Sequence, residues 1–358
     1  MYNKIFITFI VFLIFMFSFT IQIFSKGNGG QIETARIHSQ KAGEYIKENN
    51  WNAALGEAKK AVQADPKYAA GHLLLGIIYV KLGQLDPAEK ELKATMDLDS
   101  NIPEAYTYMG KVYYYRENLD KALEYYKKAV SKGTQEVLAY QDMGHIYYQK
   151  SRQQAAAGKK TEADQKMSLS VDSYKKALKI EPKNSDLHNY LGAAYYYMGK
   201  TGDAKGEYYE AIKLDSKNAS AYSNIGEYFF TVKKDFKSAM EAYKKAIELY
   251  TKEISSKSGL NPKEVEAKKL ELALCHFGLG SIYNLQEEAG PAIEEFKKVI
   301  KIDQDNPQAY VGLASSYELQ GDKEKAVEYF KKALKFATEQ KDTQLKSAIE
   351  AKLKRMGQ

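Results

Sequence analysis

Five histidines (His38, His72, His145, His188, His276) and one cysteine (Cys275) are the side chains of this 358-residue chain best suited to metal or nucleophilic chemistry. Either use demands convergence, with several ligands around one ion or a base within hydrogen-bond reach of a thiol. A single cysteine rules out a disulfide framework and a Cys-based zinc site. Cys275 and His276 are adjacent, and adjacent helical side chains point about 100° apart, so they do not form a nucleophile and its base. Cys275 reads instead as a small buried apolar residue. No Gly-rich phosphate loop, metalloprotease His pair or strand-borne nucleophile turn occurs. The expectation is therefore no catalytic centre, no metal and no cofactor.

The elements that hold these residues repeat. Leu75-Gly76, Met109-Gly110, Met143-Gly144, Leu191-Gly192, Ile225-Gly226, Leu279-Gly280 and Leu313-Ala314 are each followed three residues later by Tyr79, Tyr113, Tyr147, Tyr195, Phe229, Tyr283 and Tyr317. Units begun seven residues before the Gly start at 35, 69, 103, 137, 185, 219, 273 and 307, and five of the seven intervals are 34 residues. Second halves carry small residues seven apart (Ala122 and Ala129, Ala204 and Ala211) with a bulky one between (Tyr126, Tyr208), one face of a helix. His38, His72, His188 and His276 all fall at the fourth position of their units, where other units have Tyr106, Tyr140, Tyr222 and Tyr310. Equivalent positions in different repeats do not converge, so these histidines are expected to be packing residues. Only His145, at a ninth position, is expected to face outward from the seam.

These residues resemble the tetratricopeptide repeat (TPR) family, a helix-turn-helix unit of about 34 residues. The resemblance covers 35–340 and implies an all-α, right-handed α-solenoid of about eight TPR units. It is flanked by an N-terminal hydrophobic helix (1–25, transmembrane anchor or signal peptide), a linker (26–34) and a C-terminal capping helix (341–358). In 342–356, Leu345, Ile349, Leu353 and Met356 share one face, as a cover for the last unit needs. Extra residues fall in two places, 151–164 inside the fourth hairpin and 252–272 before the seventh, where Asn261-Pro262 suits a helix start.

The resemblance further implies that positions 2, 5, 9 and 12 of each unit line a concave groove. The candidate partner-binding residues are Thr107, Lys111, Tyr114, Gln141, His145, Tyr148, Asn189, Tyr196, Glu227 and Phe230, continued by Ser223, Phe277, Ser281 and Asn284. Aromatic rings edged by amides and hydroxyls suit a protein or extended peptide partner, and secondarily a sugar. The Lys at position five and Asn at position nine that grip carboxylate tails in related proteins are absent from the second unit onward. The expected function is a non-enzymatic scaffold in cell-envelope complex assembly, with a carbohydrate-binding module as the alternative.

Ile5 to Phe24 carries no charge and, at about 1.5 Å per residue, could cross a bilayer core of about 30 Å. An uncleaved anchor is favoured over a cleaved signal, with the body outside the cytoplasm, periplasmic or otherwise extracytoplasmic, or secreted there after cleavage. Of the net charge of +7, the first 30 residues hold +2 and 341–358 hold +3. The body is close to balance, which argues against nucleic acid as a partner.

Overall fold

The computed structural model describes residues 29–256 and 262–357, and among them there are seventeen α-helices, one π-helical segment and no strand. The expected anchor over 1–25 lies outside the described residues. Two compact bodies divide the chain, one through Glu181 and the other from Pro182.

The N-terminal body holds four helical hairpins: α1 (Gly29–Lys47) with α2 (Trp51–Ala64), α3 (Ala69–Lys81) with α4 (Leu85–Leu98), α5 (Pro103–Tyr115) with α6 (Leu119–Ser131), and α7 (Val137–Ala156) with α8 (Lys160–Ile180). The C-terminal body holds four more: α9 (Ser185–Tyr197) with α10 (Thr201–Leu214), α11 (Ala219–Tyr228) with α12 (Phe236–Ser255), α13 (Pro262–Leu285) with α14 (Ala289–Ile302), and α15 (Pro307–Gln320) with α16 (Lys323–Glu339). The helix α17 (Thr343–Arg355) follows. The segment 26–34, expected as linker, is helical from Gly29. Thr34 Oγ1 bonds Gly30 O, Arg36 pairs with Glu33, and Ala35 and Ser39 are buried.

The small residue at position 8 explains how closely the helices of a hairpin pack. A Cβ placed on Gly110 would stand 2.6 Å from the Tyr126 ring, so only glycine lets α5 and α6 approach this far. Tyr126, Tyr174, Tyr208 and Phe296, the bulky residues of the second helices, are among the most completely buried side chains. Turns within repeats share one device, a residue at positive φ: Gly83, Gly199 and Gly321 in some, but Asn49, Glu117 and Glu287 in others. Asn50, Asn118 and Asp322 then cap the second helices, each accepting a backbone N–H three residues on. Asn184, Asn218 and Asn306 cap first helices in the same way.

Both lengthened regions extend neighbouring helices. The 14 added residues of the fourth repeat lengthen α8 as well as α7, with the turn at 157–159. Before the seventh repeat, α12 runs on to Ser255 and α13 begins at Pro262; residues 257–261 of that insertion lie outside the described residues. In the sixth repeat α11 passes into a π-helical turn, Phe229–Lys233, and Lys234 is left-handed (φ 55°). On α17, Ile349 and Leu353 are buried against Phe330 and Ala337, with Leu345 and Met356 packed beside them.

Candidate functional site

In the N-terminal body the inner positions of the third and fourth repeats form a polar cluster. Lys111 Nζ donates to both oxygens of Asp142, at 2.9 and 3.2 Å, and Tyr126 OH donates to the same carboxylate at 2.5 Å. Asp142 is only 2% exposed as a side chain. The ammonium lies 4.8 Å from the Tyr114 ring centroid and 4.9 Å from that of Tyr115. Burial works to lower the Lys111 pKa, but Asp142 and the neighbouring tyrosines outweigh it and the net shift is upward. Tyr126 is held well above its ordinary value, first by burial and then by Asp142.

The other inner residues of this body are occupied too. Thr107 is buried, with its hydroxyl 3.3 Å from that of Thr134. Gln141 and Tyr148 are half-buried. His145 does not face outward. Its ring packs edge-on against Tyr174 at 5.6 Å, Nε2 is shielded from solvent, and burial lowers its pKa to about 4. Tyr174 reaches it because the Gly144 turn leaves room for that ring beneath α7.

In the C-terminal body, Asn189 is buried and accepts from Asn224 Nδ2 at 2.8 Å. Tyr196 OH lies 2.5 Å from Thr231 Oγ1, Glu227 accepts from Tyr243 OH at 2.9 Å, and Phe230 sits on the π-turn with its ring 6.0 Å from Phe236. The cysteine belongs to this body: Cys275 is buried, its thiol 3.3 Å from Ser223 Oγ, and burial pushes its pKa up to about 12.

The last two repeats differ. Phe277, Ser281, Val311 and Ser315, from positions 5 and 9, line an open groove of about 630 Å³ together with Leu285 and Leu319. Leu285 and Leu319 are 61% and 46% exposed. Leu345 of α17 also lines it. Asn284 is not available to a ligand, because its Nδ2 donates to Gly312 O at 3.1 Å and its Oδ1 accepts from Ser316 at 2.7 Å.

Two classes of inner residue escape a pattern read at positions 2, 5, 9 and 12. Asp142 is at position 6, and Tyr115, Tyr197, Leu285 and Leu319, all exposed, are at position 13. The signal for the latter is the apolar residue that follows position 12 in each of those four repeats.

The four histidines at position 4 are not merely packing groups. Each places Nδ1 against a glutamate of the second helix: His38 with Glu57 (2.7 Å), His72 with Glu91 (2.6 Å), His188 with Glu207 (2.6 Å) and His276 with Glu295 (2.5 Å). His188 Nε2 also lies 3.0 Å from Pro182 O. A carboxylate and a carbonyl both only accept, so both ring nitrogens carry hydrogen and the imidazolium is favoured. The pKa of His188 is accordingly raised, chiefly by Glu207. Every repeat with His at position 4 has Glu at position 23; of the repeats with Tyr at position 4, the third and eighth have Tyr125 and Tyr329 there, while the sixth pairs Tyr222 with Glu241. Among the described residues no three His, Cys, Asp or Glu converge as ligands would, and no helix is long and apolar enough to cross a membrane.

Tetratricopeptide repeat models match residues 45–111, 103–132, 190–254 and 307–339, and a TPR repeat model matches 165–199 and 280–321. Between residues 45 and 339 they leave 133–164 and 255–279, which hold α7 and most of α13. The Cut9–Hcn1 hetero-tetramer of the APC/C is similar over 91% of this chain at 16% identity and a TM-score of 0.59, and the chain spans 56% of that one. Pseudomonas aeruginosa PilF is similar over 62% of this chain and 94% of its own, at 16% identity and a TM-score of 0.52. Human IFIT1, solved as a dimer with PPP-AAAA, matches over 86% of this chain and 66% of its own, at 18% identity and a TM-score of 0.50. At these identities the likeness is one of fold. A search of curated proteins returned no match. Hairpins of one register, glycines against second-helix rings and family matches along both bodies agree: the chain belongs to the tetratricopeptide repeat family.

Proposed function

We propose that the chain is a non-enzymatic scaffold that binds a peptide or protein segment on the inner positions of its repeats, and that it does so at a cell envelope. The family is one of protein-interaction scaffolds. The observation that carries the proposal here is the groove of the last two repeats, where Phe277, Val311, Leu285 and Leu319 remain open to a ligand while the serines at position 9 add little bulk. An aliphatic or aromatic side chain of a partner would bury apolar area against them at about 25 cal/mol per Å². Tyr114, Tyr148, Tyr196 and Phe230 offer further ring edges within their own bodies. The uncharged run from Ile5 to Phe24 supports tethering or export.

Photo-crosslinking from position 315 in cells tests the groove. Partners captured by the parent chain should be lost from a Val311→Asp, Leu319→Asp variant, and equal capture by both would remove the groove. Capture lost only from a Tyr114, Tyr148, Tyr196 and Phe230 to Ala variant would move the site to those rings. Capture of glycans in place of protein would favour the carbohydrate alternative. Protease added to intact cells should digest the body if it lies outside the cytoplasm; protection that persists once the outer barrier is opened would overturn that placement.

A further inference from the structure

The lengthened fourth hairpin builds a second concavity, separate from the inner positions. A cleft of about 640 Å³ opens where α6 lies beside α7 and α8. Its apolar part is Leu123 and Tyr147, both nearly buried, and Leu169, which is 41% exposed. Lys150, Gln153 and Gln154, from the added turns of α7, extend the wall past the point where a first helix of ordinary length ends.

The charges on the rim are unequal, with four lysines (Lys127, Lys128, Lys150, Lys166) facing two carboxylates. Lys150 pairs with Asp120 at 2.7 Å and Lys128 with Glu124 at 2.7 Å. Among the described residues, Lys127 on α6 and Lys166 on α8 have no carboxylate within ion-pair distance. The field of Lys166 nevertheless reaches Asp120 and, after Lys150, helps to hold its pKa down. Two unpaired ammonium groups beside an apolar floor, next to amide side chains, are complementary to carboxylates flanking an apolar side chain.

We infer that this cleft is a second docking site, and that its occupant is an acidic protein segment carrying an aliphatic or aromatic residue. The lengthening of α7 and α8 supplies both the wall and part of the positive charge. The site differs from the proposed groove in element, composition and sign, so either can fail without the other.

The test is fluorescence anisotropy on the full chain with a labelled peptide of two Glu-Asp-Leu-Glu-Asp-Phe blocks. Saturable binding that weakens as salt rises is expected, since exposed charge pairs are screened. A Lys127→Glu, Lys166→Glu variant should bind about tenfold more weakly, the sum of two pair losses and their replacement by repulsion. Leu169→Asp should weaken binding independently, and a Val311→Asp, Leu319→Asp variant should bind as the parent does. All three positions are solvent-accessible, and unchanged circular dichroism and melting of the variants would exclude misfolding as the cause. Three results overturn the proposal: binding unchanged by the double reversal, equal affinity for a peptide with Ser in place of Leu and Phe, or tighter binding of single-stranded RNA or phosphatidylserine vesicles through the same two lysines.

Discussion

The third and fourth repeats and the last two use the same register to opposite ends. At position 24 of the third repeat stands Tyr126, whose buried hydroxyl needs an acceptor, and Asp142 at position 6 of the next repeat provides it. That buried carboxylate in turn holds Lys111, whose ammonium covers the rings at positions 12 and 13. At position 24 of the seventh repeat stands Phe296, which has no hydroxyl. Position 6 of the next repeat is then Gly312, so close that a Cβ there would enter the Phe296 ring, and position 9 is a small serine. The inner face beside Tyr126 is thus closed by its own ion pair, and the one beside Phe296 is left open. Tyr243 gives a third solution, donating to Glu227 at position 9 of its own repeat.

The strongest way to break this contrast is to remove the acceptor. Asp142→Ala strands an ammonium and a phenol in the core and should destabilise the N-terminal body by about 3–5 kcal/mol in urea unfolding. Adding Lys111→Met and Tyr126→Phe should recover much of the loss; full additivity of the three would show that they do not act as a cluster. Next, Gly312→Ala should cost about 1–3 kcal/mol by forcing the Phe296 ring aside, and a neutral result would mean that the open groove does not depend on this close approach.

A pH series sharpens the comparison, because the N-terminal body also buries Glu136. Burial, then Glu104 and Glu181, raise its pKa from 4.5 to about 8. Its contribution to stability is therefore fully present below pH 4.5 and lost as pH rises through about 8. Glu136→Gln should gain on the parent in melting temperature across that window and by a constant amount above it; parallel curves would place the carboxyl in water. Smallest of all, Glu117→Gly and Glu287→Gly, at φ 60° in both cases, should each stabilise by about 0.5–1 kcal/mol in urea unfolding, the relief of left-handed strain exceeding the added chain entropy; a loss of stability would reverse that order.

The repeating helical hairpin and the small-against-large seam could be read from the sequence because both rest on spacing within a helix. The polar partnerships could not. Lys111 with Asp142 and Asn189 with Asn224 join residues 31 and 35 apart on successive repeats, so they depend on how one first helix lies against the next. Outward-facing His145 and the candidate groove amides are the expectations most affected. The His–Glu pairs were legible in principle, since a glutamate stands nineteen residues after each position-4 histidine. That signal joins two columns of the chain's own repeats and is invisible when each is read alone, although Glu241 follows Tyr222 at the same spacing.

The π-turn at Phe229–Lys233 bears on how such arrays tolerate change in length. In the sixth repeat the second-helix alanine, Ala239, comes one residue later than its counterparts, and the left-handed residue and cap, Lys234 and Asp235, are displaced with it. The wide turn takes up that single surplus residue before the hairpin bends, so the downstream seam keeps its mesh. A one-residue insertion is thus confined to one bulge instead of being passed along the chain as a phase error, and deleting Val232 should return the segment to ordinary α-helix with every later repeat in step.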